Sequence, residues 1–281
     1  EVAQTIINMN LRGAPLIGAA ASAAIALYFK NGSNKCSKFS DLRRMLISTR
    51  PTAVNLKNIV DEAEVLFKNS SFLNNKSLFE LFSDFSKEVH KRDRDRNFAM
   101  GENGAEYLNS FFSQQKLKVL THCNAGALAT CGYGTALGVI RSLNSRGLLE
   151  HVWVDETRPY FQGVRLTAFE MVCENIPHTV VTDSSAAWLM HEKEIDVVIT
   201  GADRIVLNGD TANKIGTYSL AVNSQYHGIP FLIAAPVETF DLISKDGSSI
   251  VIEERSDTEL LEFNGKRIAP DASKGLHLGF D

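Results

Sequence analysis

From Leu117 onward the chain alternates short β-branched runs with amphipathic stretches, and nothing else in the sequence constrains the fold as tightly. Runs at 117–121, 151–154, 179–182, 196–200 and 230–234 read as strands. Helical patterns at 128–141, 161–173, 185–191 and 212–226 lie between them. Four successive strand–helix–strand steps predict an α/β fold, a Rossmann-like, doubly wound parallel sheet with right-handed crossovers. Residues 250–254 are expected to add an edge strand. The rhythm before this point is helical: apolar residues recur at three- and four-residue spacing over 2–9, 16–29, 42–47, 53–67, 78–89 and 105–112. The reading is therefore a mainly helical N-terminal domain at 1–113 and a Rossmann-like domain at 114–281, with Gln114 to Lys116 as the linker. The charge run from Lys87 to Arg96 reads as a solvated helix face.

In an open α/β sheet the ligand crevice lies beyond the carboxyl ends of the strands. Every predicted strand here ends in residues with chemical handles: His122-Cys123-Asn124, Asp155 to Arg158, Asp183 to Ser185, Gly201-Ala202-Asp203 and Ala235-Pro236. Cys123 and Asp203 each close an apolar run, each is followed by a helix-forming stretch, and both face the same crevice. A thiol and a carboxyl so placed suggest proton-moving chemistry on a small molecule. Ala125-Gly126-Ala127 would open the helix after Cys123, and a helix N-terminus lowers a thiol pKa; the alternative is that the cysteine simply packs. His122 faces the other way along the strand, so no Cys–His dyad is expected. Burial at the strand end would raise the Asp203 pKa and suit it to donate a proton. The alternative there is a helix cap or turn aspartate.

Asn208 to Gly216 is a Gly/Asn/Asp-rich loop feeding a helix, and its free N–H groups beside Lys214 could hold a phosphate. Walker spacing is absent, which disfavours nucleoside triphosphates. Arg12-Gly13-Ala14-Pro15 places an arginine before a proline-started helix, and Arg50 precedes Pro51 in extended backbone. Each arginine alone reads as surface; the recurrence of cation and small residue at helix starts points to an anion. Gly132-Tyr133-Gly134 with Gly138, followed by Asp155 after the next strand, raises a dinucleotide site. Its spacing is one residue too long and it starts within the predicted helix, so these glycines read as close helix–sheet packing.

With 44% apolar and 22% charged residues in 281, the chain has core enough for two domains. A net charge of -4 gives no reason to expect a nucleic-acid or membrane partner. Residues 13–29 carry no charge but are mostly small, and read as a buried helix rather than a membrane span. Cys36, Cys131 and Cys173 read as packing residues; the four cysteines form no C-x-x-C pair, which fits a reducing, cytoplasmic setting. No residue cluster has metal-ligand spacing. The chain begins at Glu1 in what reads as mid-helix, so further residues are expected upstream.

Together these segments resemble the methylthioribose-1-phosphate isomerase family of methionine salvage, a branch of amino-acid biosynthesis. The resemblance rests on Arg12 to Gly18, Arg50 to Asn55, Thr121 to Thr130, Glu156 to Gly163, and Gly201 to Arg204 with Asn208 to Tyr218. It implies an aldose–ketose isomerase with no cofactor and no metal, active as a homodimer on a sugar phosphate. Carried over by residue, it implies that Cys123 and Asp203 are catalytic. Substrate contacts would come from Arg12, Gly13, Ala14, Arg50, Gln162, Asn213 and Lys214. Gln162 enters only through this resemblance. The regulatory subunits of the translation-initiation exchange complex and the ribose-1,5-bisphosphate isomerases are similar too, but the run Asp203-Arg204 with Asp210 to Asn213 resembles the methylthioribose enzymes more.

Overall fold

The five apolar runs form one parallel sheet in a computed structural model that describes residues 1–31, 39–50, 54–113 and 115–281. Strands β1 (Leu117–Thr121), β2 (Leu149–Asp155), β3 (His178–Val181) and β4 (Val197–Thr200) fall within a residue or two of their predicted bounds. A short hairpin, β5 (Arg204–Val206) and β6 (Thr211–Ala212), precedes β7 (Phe231–Ile233). The order is β3-β2-β1-β4-β7. The chain builds outward from β1 to β3 and then returns to lay β4 against the other side of β1. That reversal is the topological switch point where α/β folds bind ligands. Cys123 leaves the sheet from β1, its central strand, and Asp203 from the neighbouring β4.

Both faces of the sheet are covered, as parallel sheets require. Leu117 and Val119 of β1 pack with Ala105 and Leu108 of the N-terminal helices and with Leu137 and Ile140, while Leu120 faces Leu189, Val198 and Leu220. The N-terminal part consists of α1 (Val2–Ile7), α2 (Ala14–Lys30), α3 (Phe39–Ser48), α4 (Val54–Ser70) and α5 (Asn75–Phe111). Its core stacks Phe29, Phe39, Phe67 and Phe82, and α2 lies buried within it. No helix among the described residues is long and apolar enough to cross a membrane.

The structure departs from the sequence reading at several places. The patterns at 78–89 and 105–112 are one 37-residue helix, α5, capped at Asn74. The charge run between them stays helical because part of it has partners: Arg92 pairs with Glu62, Asp93 accepts from the Cys131 amide, and Arg96 pairs with Glu238. Most of the run is exposed, as expected, while Arg92 and Asp93 are half-buried. The helix after β1, α6 (Ala136–Ser145), starts well beyond residue 128. Gly138 packs on α5 rather than on the sheet; a Cβ on Gly101 would lie 2.8 Å from its carbonyl oxygen. After β2, a wide turn at Gly163–Thr167 leads into α7 (Ala168–Cys173), and α8 (Ala186–His191) follows β3. The helix expected at 212–226 begins only at Thr217, as α9 (Thr217–His227), because residues 204–212 form the hairpin. The predicted edge strand does not join the main sheet: Glu254–Arg255 pairs antiparallel with His277–Leu278. Cys36 and Gln114 lie outside the described residues.

Candidate active site

One cavity at the switch point is lined by all nine candidate site residues: Arg12, Gly13, Ala14, Arg50, Cys123, Gln162, Asp203, Asn213 and Lys214. The helical N-terminal part supplies the first four. Gly13 caps α2 with φ at +93°, and a Cβ there would come within 2.6 Å of the Ala129 Cα, so the α2 N-terminus sits directly on the loop after β1. Pro15 stands in the first turn of α2, as predicted. Arg50 Nε is buried without a hydrogen-bond partner among the described residues, its Nη1 reaching the Met9 sulfur at 2.9 Å. Pro51 lies outside the described residues.

Cys123 is not at the mouth of an α-helix. A single 3-10 turn at Ala127–Ala129 comes after it, so the expected helix-dipole effect on the thiol is absent. Cys123 instead takes a left-handed backbone with φ at +62°, a conformation that costs a non-glycine residue of the order of 1–2 kcal/mol. The loop is held there from outside. Thr157 Oγ1 accepts from the Cys123 amide at 2.8 Å, and Thr167 donates to its carbonyl at 2.6 Å. Buried Glu170 accepts from Asn124 Nδ2 and from the amides of Ala127 and Leu128, and pairs with Arg141 at 2.7 Å.

Asp203 is no helix cap either. Its amide donates to the Ala212 carbonyl at the base of the β5–β6 hairpin, and its carboxyl faces the cavity. A contiguous pocket with Ile17, Ile250, Val251, Ile252 and Phe280 in its wall, together with Arg50 and Arg204, borders the same residue. Burial pushes the Asp203 pKa up, with Lys214 and Arg50 pulling against it. Burial also raises the Cys123 thiol, opposed by Lys214 and Arg12. Lys214 is lowered by its own burial, and the thiol and Asp203 oppose that. The site holds an acid that keeps its proton to higher pH than usual, and a thiol whose ionisation depends on two cations.

Lys214 is fixed by a segment the sequence did not flag. Its Nζ donates to the Gly279 carbonyl at 2.7 Å and lies 4.9 Å from the centre of the Phe280 ring, which lines the cavity. The backbones of Asn213 and Asp281 exchange two hydrogen bonds. The Asp281 carboxylate accepts from the amides of Gly216 and Tyr218, so the α9 N-terminus expected to bind phosphate is already capped. Asn213 Nδ2 is bonded to Thr217, and Gln162, 3% exposed, leaves its Oε1 without a partner among the described residues. His122 turns from the thiol, as expected: Nδ1 is 2.9 Å from Asp155 and Nε2 2.9 Å from the Ile215 carbonyl. Asp155, 1% exposed, is thereby engaged and closed to a ribose. His122, Asp155 and Asp183 are the one trio among the described residues close enough to share a metal ion. Most of their atoms are engaged, since Asp183 accepts from the amides of Thr157 and Arg158 and Asp155 Oδ2 meets His122 Nδ1.

Residues 10–281 match the sequence model described as the Initiation factor 2 subunit family. The chain belongs to that family. A methylthioribose-1-phosphate isomerase of Caldicellulosiruptor saccharolyticus is 48% identical over all of this chain and 82% of its own length. The structure of 5-methylthioribose 1-phosphate isomerase from Pyrococcus horikoshii OT3 superposes with a TM-score of 0.88 at 42% identity, covering 100% of this chain and 78% of that one. The translation initiation factor eIF-2B subunit delta from A. fulgidus gives 0.84 at 38%, covering 100% and 81%. Family membership and fold therefore match the resemblance read from the motifs.

Proposed function

We propose that this protein is the aldose–ketose isomerase that converts 5-methylthioribose 1-phosphate to 5-methylthioribulose 1-phosphate in methionine salvage. The observation that carries the reading is the meeting of a half-buried carboxyl and a thiol from adjacent strands in one cavity with Arg12, Arg50 and Lys214. The named isomerases at 42–48% identity support the same substrate. The phosphate on the anomeric oxygen blocks ordinary ring opening, so the ring oxygen must be protonated as its bond to C1 breaks. Asp203 gives that proton. Cys123, acting as the thiolate that Arg12 and Lys214 favour and burial opposes, takes the proton from C2 and leaves an enol phosphate. Delivery of a proton from Cys123 to C1, after exchange with solvent where the thiol is accessible, and loss of the C2 hydroxyl proton to Asp203 give the ketose and restore both groups. In a competing path hydride moves from C2 to C1 and Cys123 only assists the C2 hydroxyl. Deuterium from solvent at C1 of the product marks the enol path.

Residues 1–113 would form the helical domain and 114–281 the catalytic one, in a cytoplasmic homodimer with no nucleic-acid partner. A second reading comes from the likeness to the A. fulgidus delta subunit: a regulatory subunit that keeps the pocket as a sugar-phosphate sensor. An aldose–ketose conversion assay on the purified protein separates the two, and absence of turnover would leave the sensor.

A further inference from the structure

His122 lines the cavity wall next to Cys123, yet both ring nitrogens point away from where a substrate would sit. Nε2 is 2.9 Å from the Ile215 carbonyl oxygen, which can only accept, so Nε2 carries hydrogen. Nδ1 is 2.9 Å from Asp155 Oδ2. Either Nδ1 carries a proton and donates to a carboxylate, or Asp155 is the acid and donates to Nδ1. In both arrangements the pair holds one proton between its members and no net charge. Histidine and aspartate are each 1% exposed, and Asp155 Oδ1 has no hydrogen-bond partner among the described residues. The ring also fills the space over Gly216: a Cβ there would lie 2.9 Å from Cε1 and 3.1 Å from Nε2. The histidine thus joins the end of β1, the end of β2 and the loop carrying Asn213, Lys214 and Ile215.

We propose that His122 is a positioning residue, locked by Asp155 as an Nε2 donor to Ile215 so that Lys214 is held over the cavity. This role rests on the reading of the cavity as a phosphate site, and it deepens that reading. Asp155 selects the nitrogen that carries hydrogen; His122 transmits the choice to the backbone one residue after Lys214. Gly279 and Phe280 hold the lysine from the opposite side.

Two measurements on the full chain test this. Side-chain 15N spectra of the wild type should show His122 Nε2 protonated and unchanged between pH 6 and 8.5. Binding of inorganic phosphate, followed calorimetrically, should weaken roughly tenfold in His122→Gln, the loss expected from one hydrogen bond. Asp155→Ala should weaken it similarly. Asp155→Asn, whose amide can still donate to Nδ1 and preserve the Nε2–H form, should keep affinity within about threefold. An unprotonated Nε2 in the wild type, or wild-type phosphate affinity in folded His122→Gln, overturns the proposal. Phosphate binding that depends on His122 in a protein without isomerase turnover would sink the enzymatic reading and leave this one standing. A wild type that binds no phosphate sinks both.

Discussion

The carboxylate of Glu170 occupies the space a side chain on Gly126 would need, its Cδ 2.6 Å from where a Cβ would be. This contact explains how a cysteine is kept in left-handed backbone at the rim of a sheet. A buried anion binds the amides of Ala127 and Leu128 and the Asn124 side chain, and its charge is met by Arg141. Gly126→Ala must push Glu170 out of this cradle. Overpacking and loss of the hydrogen bonds together should destabilise by about 2–3 kcal/mol. Surviving folded protein should lose turnover through displacement of Cys123. A denaturant melt within about 0.5 kcal/mol of wild type, a margin typical of neutral surface changes, would show the cradle to be dispensable.

The two proposed catalytic groups act by proton transfer, a contribution worth roughly 10²–10⁴ in rate. Asp203→Asn and Cys123→Ser should each lower kcat by at least about 10². Phosphate affinity should change little, because Arg12, Arg50 and Lys214 remain. Near-normal turnover in either variant would remove that residue from the mechanism.

The strands were legible because parallel-sheet strands are buried on both faces and announce themselves as continuous apolar runs, as β4 does with Val197, Val198 and Ile199. The chemical residues were legible for the same reason, since a run that stops at Cys123 or Asp203 stops at the crevice. The loops and helix starts beyond the strand ends were much less so. The chain after Cys123 obeys Glu170, more than forty residues on, and the start of α9 obeys Asp281, more than sixty residues on. Neither leaves a local pattern. Gln162 looked like a surface amide because its burial comes from the fold around it. The hairpin at 204–212 was the one miss with a local signal: Asn208-Gly209-Asp210 is turn chemistry, and Asn208 Oδ1 accepts from the Asp210 amide.

Phe280 holds the Lys214 ammonium by its ring face while Gly279 accepts one of its protons. Removing the ring forfeits a desolvated cation–π contact worth roughly 1–2 kcal/mol and opens the wall between the two pockets. Phe280→Ala should therefore raise KM for a phosphorylated substrate about five- to thirtyfold, the equivalent of that energy. The fall in kcat should be smaller. A change confined to kcat would mean that Phe280 serves the chemistry and not the anion.

The upward shift of Asp203 makes a prediction about stability that does not depend on the substrate. Burial is its main cause, so the folded protein binds this proton more tightly than the unfolded chain does. Between the ordinary carboxyl pKa of 3.8 and the higher folded value, the native state holds more protons than the unfolded state. Stability must then fall as pH rises through that window, and the cost stays in full above it. Below the unfolded pKa both states are protonated and the cost vanishes. An asparagine has no proton to lose and suffers none of this. Asp203→Asn should consequently melt above the wild type at pH 7–8, while the two curves converge as pH approaches the ordinary carboxyl value. Lys214 and Arg50 work in the opposite sense, since each prefers the ionised carboxylate. If they outweighed burial, the wild type would instead be the more stable protein at neutral pH and Asp203 would stand ionised in the empty site. Melting temperatures of the pair across that range decide which force governs the acid before any sugar is bound.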